Sequence, residues 1–191
     1  MGLGVAAAAA LLLLALAATA STTPNLKTLV LGLQDMPTGF RVKSHHFESL
    51  AAAAKSGHQP VSELRKWGYV NGYEVDFSRD VSLSTLVRGA IEVESAVSLY
   101  RSRAGVRASL AYSARRCNKA PAHELSVGAK IGDAAHLCSL VKKSGGYTIQ
   151  TYTVVWRRGR LKAAVLIAGL KGGVAPNQAV SLAKVQDRRM R

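Results

Sequence analysis

The sequence predicts an α+β domain, an antiparallel β-sheet packed against two or three α-helices. Three observations carry this. Strand-like alternations follow one another without the crossover helices that a parallel sheet needs. A basic turn, Arg157-Arg158-Gly159-Arg160, separates two long apolar stretches as a tight hairpin would. Two other stretches repeat apolar residues at helical spacing.

Taken in order, Leu26 to Leu33 is a short apolar segment with helical character. It stops at Asp35-Met36-Pro37-Thr38-Gly39-Phe40, where Pro fixes φ and Gly accepts a positive φ. Phe40 to Lys43 can begin a strand. His45 to Lys55 holds four consecutive alanines and reads as a helix, broken by Ser56-Gly57-His58-Gln59-Pro60. Trp67 to Phe77 alternates: Trp67, Tyr69, Tyr73, Val75 and Phe77 fall on one face, Gly68, Gly72, Glu74 and Asp76 on the other. A second alternation runs from Val87 to Leu99, with Val87, Ile91, Val93, Val97 and Leu99 opposite Arg88, Glu92, Glu94 and Ser98.

Ser102 can cap a helix from Arg103 to about Arg116, with Val106, Leu110 and Ala114 as its buried stripe. Asn118 to Lys130 reads as a loop. Ala135 to Lys142 reads as a strand carrying Cys138. Tyr147 to Trp156 and Leu161 to Leu170 flank the hairpin turn, where Gly159 can take the positive φ. Leu161 to Leu170 is apolar at nearly every position, so it is expected to be a central strand covered on both faces. Pro176 opens a last helix to about Met190, with Ala179, Leu182 and Val185 inward.

The N-terminus carries an address. Val5 to Ala17 is an unbroken run of Ala, Leu and Val, and small residues lead to Ala18-Thr19-Ala20 before Ser21. This is the shape of a secretory signal peptide cleaved after Ala20, although Met1 to Val5 hold no Lys or Arg. The organisation expected is therefore a signal over 1–20 and a single extracytoplasmic domain over 21–191. The alternative is an uncleaved anchor helix, since Leu3 to Ala20 approaches the length of a membrane span. No Cys follows the apolar run to take a lipid.

Two cysteines, Cys117 and Cys138, are present. In an oxidising compartment such a pair reads as one disulfide; the alternative is two buried thiols. The bond would close a loop of about 20 residues and contribute about 3 kcal/mol by loop closure.

The formal net charge is +15, and every charged side chain lies beyond residue 20. Basic residues cluster at Arg101/Arg103/Arg107, at Arg115/Arg116/Lys119, at Arg157/Arg158/Arg160 and at Arg188/Arg189/Arg191. Such a field attracts polyanions. Nucleic acid is the usual partner of a charge this large, and export argues against it. Anionic lipid head groups, wall polymers and acidic proteins remain, with peripheral membrane contact compatible with the charge. The plain alternative is a solvated surface that maintains solubility. Arg157, Arg158 and Arg160 at the hairpin tip are the sharpest candidates for an anion contact. Trp67, Tyr69, Tyr73 and Phe77 could line a small-ligand groove, or simply form the core face of a strand.

Catalytic signals are sparse. His45, His46, His58, His123 and His136 form no HxxxH or HExxH pair, and surface histidines explain them better than a His45/His46/His58 metal site. Ser181 to Lys184 reads S-x-x-K but lacks the companion motifs of acyl-transfer enzymes. Asp133 reads as a turn side chain bonding backbone N–H groups. No catalytic residue, metal site or cofactor is assigned. A hydrolase or transferase assembled from scattered His, Asp and Ser stays as an alternative, which a shifted His inside a pocket would favour.

Several segments together resemble a known group. They are D-M-P-T-G-F, W-G-Y-V-N-G-Y-E-V-D-F, I-G-D-A-A, V-V-W-R-R-G-R-L-K-A-A-V and the closing L-A-K-V-Q-D-R-R-M. They look like a group of exported actinobacterial-type proteins of unknown function. Those are similar in layout to PsbP-like proteins and to extracellular sensor domains of bacterial Ser/Thr kinases. The resemblance spans about Leu26 to Arg191. It implies an antiparallel sheet packed with helices in a PsbP-like or sensor-domain-like sandwich, an extracytoplasmic location, and binding rather than catalysis. It supplies no catalytic residues. The chain departs from lipoprotein members in lacking the lipidated Cys, and from kinase sensors in lacking a kinase.

Overall fold

The computed structural model describes residues 23–80 and 89–191. The expected signal segment, together with Val87 and Arg88 of the second alternation, lies outside the described residues. A seven-stranded sheet forms the middle layer, in the order β1-β2-β3-β7-β6-β5-β4 with every neighbouring pair antiparallel. The strands are β1 Phe40–Glu48, β2 Tyr69–Arg79, β3 Glu92–Tyr100, β4 Ala122–Leu125, β5 Ala134–Ser144, β6 Tyr147–Arg158 and β7 Leu161–Leu170. Four α-helices lie among the described residues: α1 Leu50–Ser56, α2 Val61–Lys66, α3 Arg103–Cys117 and α4 Pro176–Arg189. None is long and apolar enough to cross a membrane. The α+β class holds, with the two long helices as expected, the expected helix around the alanine run shortened to α1, and α2 added.

The continuous apolar strand Leu161–Leu170 is the central one, β7, flanked by β3 and β6. Its odd positions Ala163, Val165 and Ile167 are buried against α4, together with Val154 and Trp156 of β6. Ala164 is paired with Ala96 of β3 and Val155 of β6, so it faces the opposite side. The hairpin forms as read: Arg158 pairs with Leu161, and Gly159 takes φ +58 in the turn between them. Ser102 caps α3 by accepting from the Gly105 N–H at 3.0 Å.

Three expectations are corrected. Leu26 to Leu33 is not a helix but two short 3-10 turns, Leu26–Thr28 and Leu33–Asp35, separated by extended backbone at Gly32. Leu26, Leu29, Val30 and Leu31 all bury, which a helix on a sheet surface could not do. The backbone there is satisfied from outside: Leu31 N–H donates to Ser95 Oγ at 2.9 Å, and Arg189 donates to the Val30 carbonyl. His45 to Glu48 is strand, paired with Val75 through Gly72, and the helix starts only after the Ser49 cap. Asn118 to Lys130 is not wholly loop, because Ala122–Leu125 adds edge strand β4.

The aromatic stripe Trp67/Tyr69/Tyr73/Phe77 does not share a face. Pairing of β2 with β3 slips between Tyr69 and Asn71, leaving Val70 as an extra residue. One inserted residue turns every side chain beyond it over. Tyr73, Val75 and Phe77 enter the core beneath α4. Trp67, which ends α2, and Tyr69 join Leu64, Tyr100 and Val106 in a second cluster on the other side. The buried stripe of α4 is also richer than expected: Ala179, Val180, Ala183, Gln186 and Asp187 are buried, while Leu182 and Val185 are partly buried.

Candidate functional site

The sheet face away from α4 is only partly covered. Helices α1, α2 and α3 lean on it and leave a cleft over the middle strands. The residues after α1 roof this cleft: the His58 carbonyl accepts from Tyr112 Oη at 3.4 Å and from Arg116, both on α3. Two turns earlier on the same side of α3, Gly105 lies against the chain at Trp67. A Cβ on Gly105 would stand 1.8 Å from the Trp67 carbonyl oxygen, so only glycine permits this approach.

The cleft has two connected chambers. The first, about 170 Å³, is lined by Glu48, Tyr69, Glu74, Glu94, Tyr100 and Lys162. The second, about 330 Å³, is more apolar and runs past Thr153, Val155, His136 and the Cys117–Cys138 pair. Gly57, Gln59, Lys162 and Ala164 line both. Strand register explains the layout. Glu74 faces Ala96, Ala96 faces Ala164, Ala164 faces Val155, and Val155 faces His136, one row across five strands. Small residues in the middle of that row leave the space. Lys162 stands in the adjacent row, opposite Ser98.

Charge in this cleft is poorly compensated. Glu48 is 5% exposed and its Oε1 accepts from Ser56 Oγ at 2.8 Å. Among the described residues, Glu48, Glu74, Asp76 and Glu94 form no ion pair with any Lys, Arg or His, and Lys162 forms none with any Asp or Glu. Burial, then the neighbouring Glu48 and Asp76, pushes Glu74 up to about 7, with His46 opposing. Burial, then Glu74, Asp76 and Glu48, pushes Glu94 up to about 8. Desolvation pulls Lys162 down to about 8, opposed by Glu48. Its Nζ donates to Ser109 Oγ at 3.1 Å, a hydroxyl shared with Tyr100 Oη at 2.7 Å. Burial raises Tyr100 to about 12 and lifts Tyr69 above the ordinary phenol value. Burial lowers His136, so it stands neutral. Oxygens of Glu74, Asp76 and Glu94 lie within 4.8 Å of one another and could face a cation. Asp76 also accepts from Ser44.

The residues singled out from sequence are distributed differently. Tyr69 lines the cleft, Trp67 packs behind it against Tyr112 with rings 5.4 Å apart, and Tyr73 and Phe77 lie on the other face. At the hairpin, Arg157 pairs with Asp133 at 2.9 Å, and Arg158 grips Asp187 through two bonds of 2.9 and 2.6 Å. Asp133 does accept a backbone N–H, that of Gly159 at 2.9 Å, from a distant turn. His45 and His46 point to opposite faces of β1, and His58 sits after α1, so the three do not converge. Ser181 and Lys184 are both exposed on α4. Cys117 and Cys138 are bonded, with Cα atoms 5.5 Å apart, and tie the end of α3 to β5. Sequence reading missed the Glu48/Glu74/Glu94/Lys162 group. The alternating carboxylates of β2 and β3 were the available signal, but they resembled ordinary solvent-facing positions.

No protein-family model matches the chain, and no curated protein sequence is similar to it. Its structure is similar to that of the extracellular domain of PknH from Mycobacterium tuberculosis. The TM-score is 0.50 and the identity 11%, over 86% of this chain and 95% of that one. At this identity the likeness is one of fold: the two share a helix-flanked antiparallel architecture.

Proposed function

We propose that the chain is an exported, non-catalytic, sensor-like domain of the cell envelope that holds a small ligand in the cleft beneath α1, α2 and α3. One observation carries the reading. Ionisable groups of both signs line a preformed cavity without pairing to one another, and such perturbed groups in a cleft mark a binding site. The apolar N-terminal run, the disulfide and the fold shared with an extracellular domain support export. A hydrolase reading draws on buried His136, but no hydroxyl or carboxylate is hydrogen-bonded to that ring among the described residues. A charge-driven binder of anionic lipid or polyanion draws on the net charge of +15; Arg157 and Arg158, however, already hold carboxylates.

The test is a thermal-shift screen of small metabolites on the oxidised protein beside Ala164→Trp, which fills the cleft floor. A compound that raises the melting temperature of the wild type and not of the variant, and still does so at physiological salt, supports the reading. Compounds acting equally on both proteins, with an effect that vanishes as salt rises, would replace it with surface charge binding.

A further inference from the structure

The two chambers differ in what they offer, and the difference specifies a ligand. At one end, Glu48, Glu74 and Glu94 present carboxylates that form no ion pair, with His46 the cross-strand neighbour of Glu74. Tyr69 and Tyr100 stand edge to face beside them, ring centroids 5.8 Å apart. This end suits an ammonium group, which carboxylates and aromatic rings both attract. At the junction stands Lys162, whose Nζ donates to the neutral Ser109 hydroxyl and whose remaining donors can take an anion. Lys162 lies two strands across and two residues along from Glu74, roughly 12 Å at the backbone, and both side chains line the first chamber. Beyond the junction, Val155, Ala164 and the disulfide give a mostly apolar chamber, whose lining also includes His136 and Arg116, the latter donating to the His58 carbonyl.

Resting on the cleft reading above, we propose that the ligand is a zwitterionic amino acid or short peptide with an apolar side chain. Its ammonium sits among Glu48, Glu74 and Glu94, its carboxylate meets Lys162, and its side chain fills the chamber beside Cys117 and Cys138. A simple amine would leave Lys162 unpaired, and a simple carboxylic acid would leave the glutamates unpaired. Each omission is costly in a desolvated site.

The test is calorimetric titration of the oxidised protein with L-leucine and leucyl-leucine, their N-acetyl forms, their amides, and isoamylamine. The expected result is binding of a zwitterion that weakens about tenfold or more when either end is blocked. Lys162→Met should abolish discrimination against the amide and keep discrimination against the acetylated form. Glu74→Gln or Glu94→Gln should do the reverse. A purely structural role for these side chains would weaken all probes together. Isoamylamine binding as tightly as the amino acids, unchanged in Lys162→Met, would overturn the zwitterion. So would silence from every amino compound. In that case, a different compound class acting through the Ala164→Trp-sensitive cleft would leave the cleft reading standing, and silence from the whole screen would remove both.

Discussion

Arg158 and Asp187 form a two-pronged ion pair, Nε to Oδ1 at 2.9 Å and Nη2 to Oδ2 at 2.6 Å, that joins the β6 hairpin to the last turn of α4. Asp187 is 3% exposed. Burial alone would raise its pKa, but the Arg158 and Gly132 hydrogen bonds and the nearby positive charge together hold it below the ordinary value. The pair fastens the C-terminal helix over the core, so a side chain read from sequence as an anion contact is part of the scaffold.

Arg158→Ala should therefore cost about 3 kcal/mol of stability at neutral pH, because it strands a buried carboxylate. The pH dependence follows from the lowered pKa. The stabilisation from Asp187 is present above its unfolded value of 3.8 and is lost as pH falls through the lower folded value. Urea unfolding at pH 7 and pH 3 checks this: the gap between wild type and variant should be large at the first pH and narrow at the second.

Glu94→Gln should stabilise the unliganded protein. With its pKa raised to about 8, Glu94 favours folding while protonated. That contribution is complete below the unfolded value of 4.5 and is lost as pH rises through about 8. The variant escapes this loss, so its melting temperature should match the wild type near pH 4.5 and exceed it by a few degrees near pH 9, at about 2–4 °C per kcal/mol. Equal differences at both pH values would show that Glu94 is not desolvated by the cleft.

Replacing Cys117 and Cys138 together by serine should cost about 3 kcal/mol, the loop-closure contribution for a separation of 21 residues. Hydrogen exchange should locate the loosening at the end of α3 and at β4 and β5. Protection lost evenly across the sheet would contradict a local staple.

Much of the scaffold was legible in the chain. The apolar strand Leu161–Leu170, its Gly159 hairpin, the Ser102-capped helix and the Pro176 start all follow from local chemistry: side-chain period, φ preference and capping. Partnership across the fold was less legible. The extra residue at Val70 divided Tyr69 from Tyr73, and its only trace in the sequence is the break in alternation at Val70-Asn71. Leu26 to Leu33 read as helix because the hydroxyl of Ser95 and the guanidinium of Arg189 arrive from residues distant in sequence.

The sequence by itself determined the class, the central strand, the cysteine pair and the excess of positive charge, since each depends on composition or on near neighbours. Only the tertiary structure decided that Arg157 and Arg158 are occupied and that Glu48, Glu74, Glu94 and Lys162 meet in one cleft. Those residues come from four strands, and their approach is set by antiparallel register and by the helices that exclude water above them. A carboxyl group that looks solvent-facing in an alternating strand becomes a buried, unpaired acid, its charged form disfavoured, only when helices from elsewhere in the chain cover it.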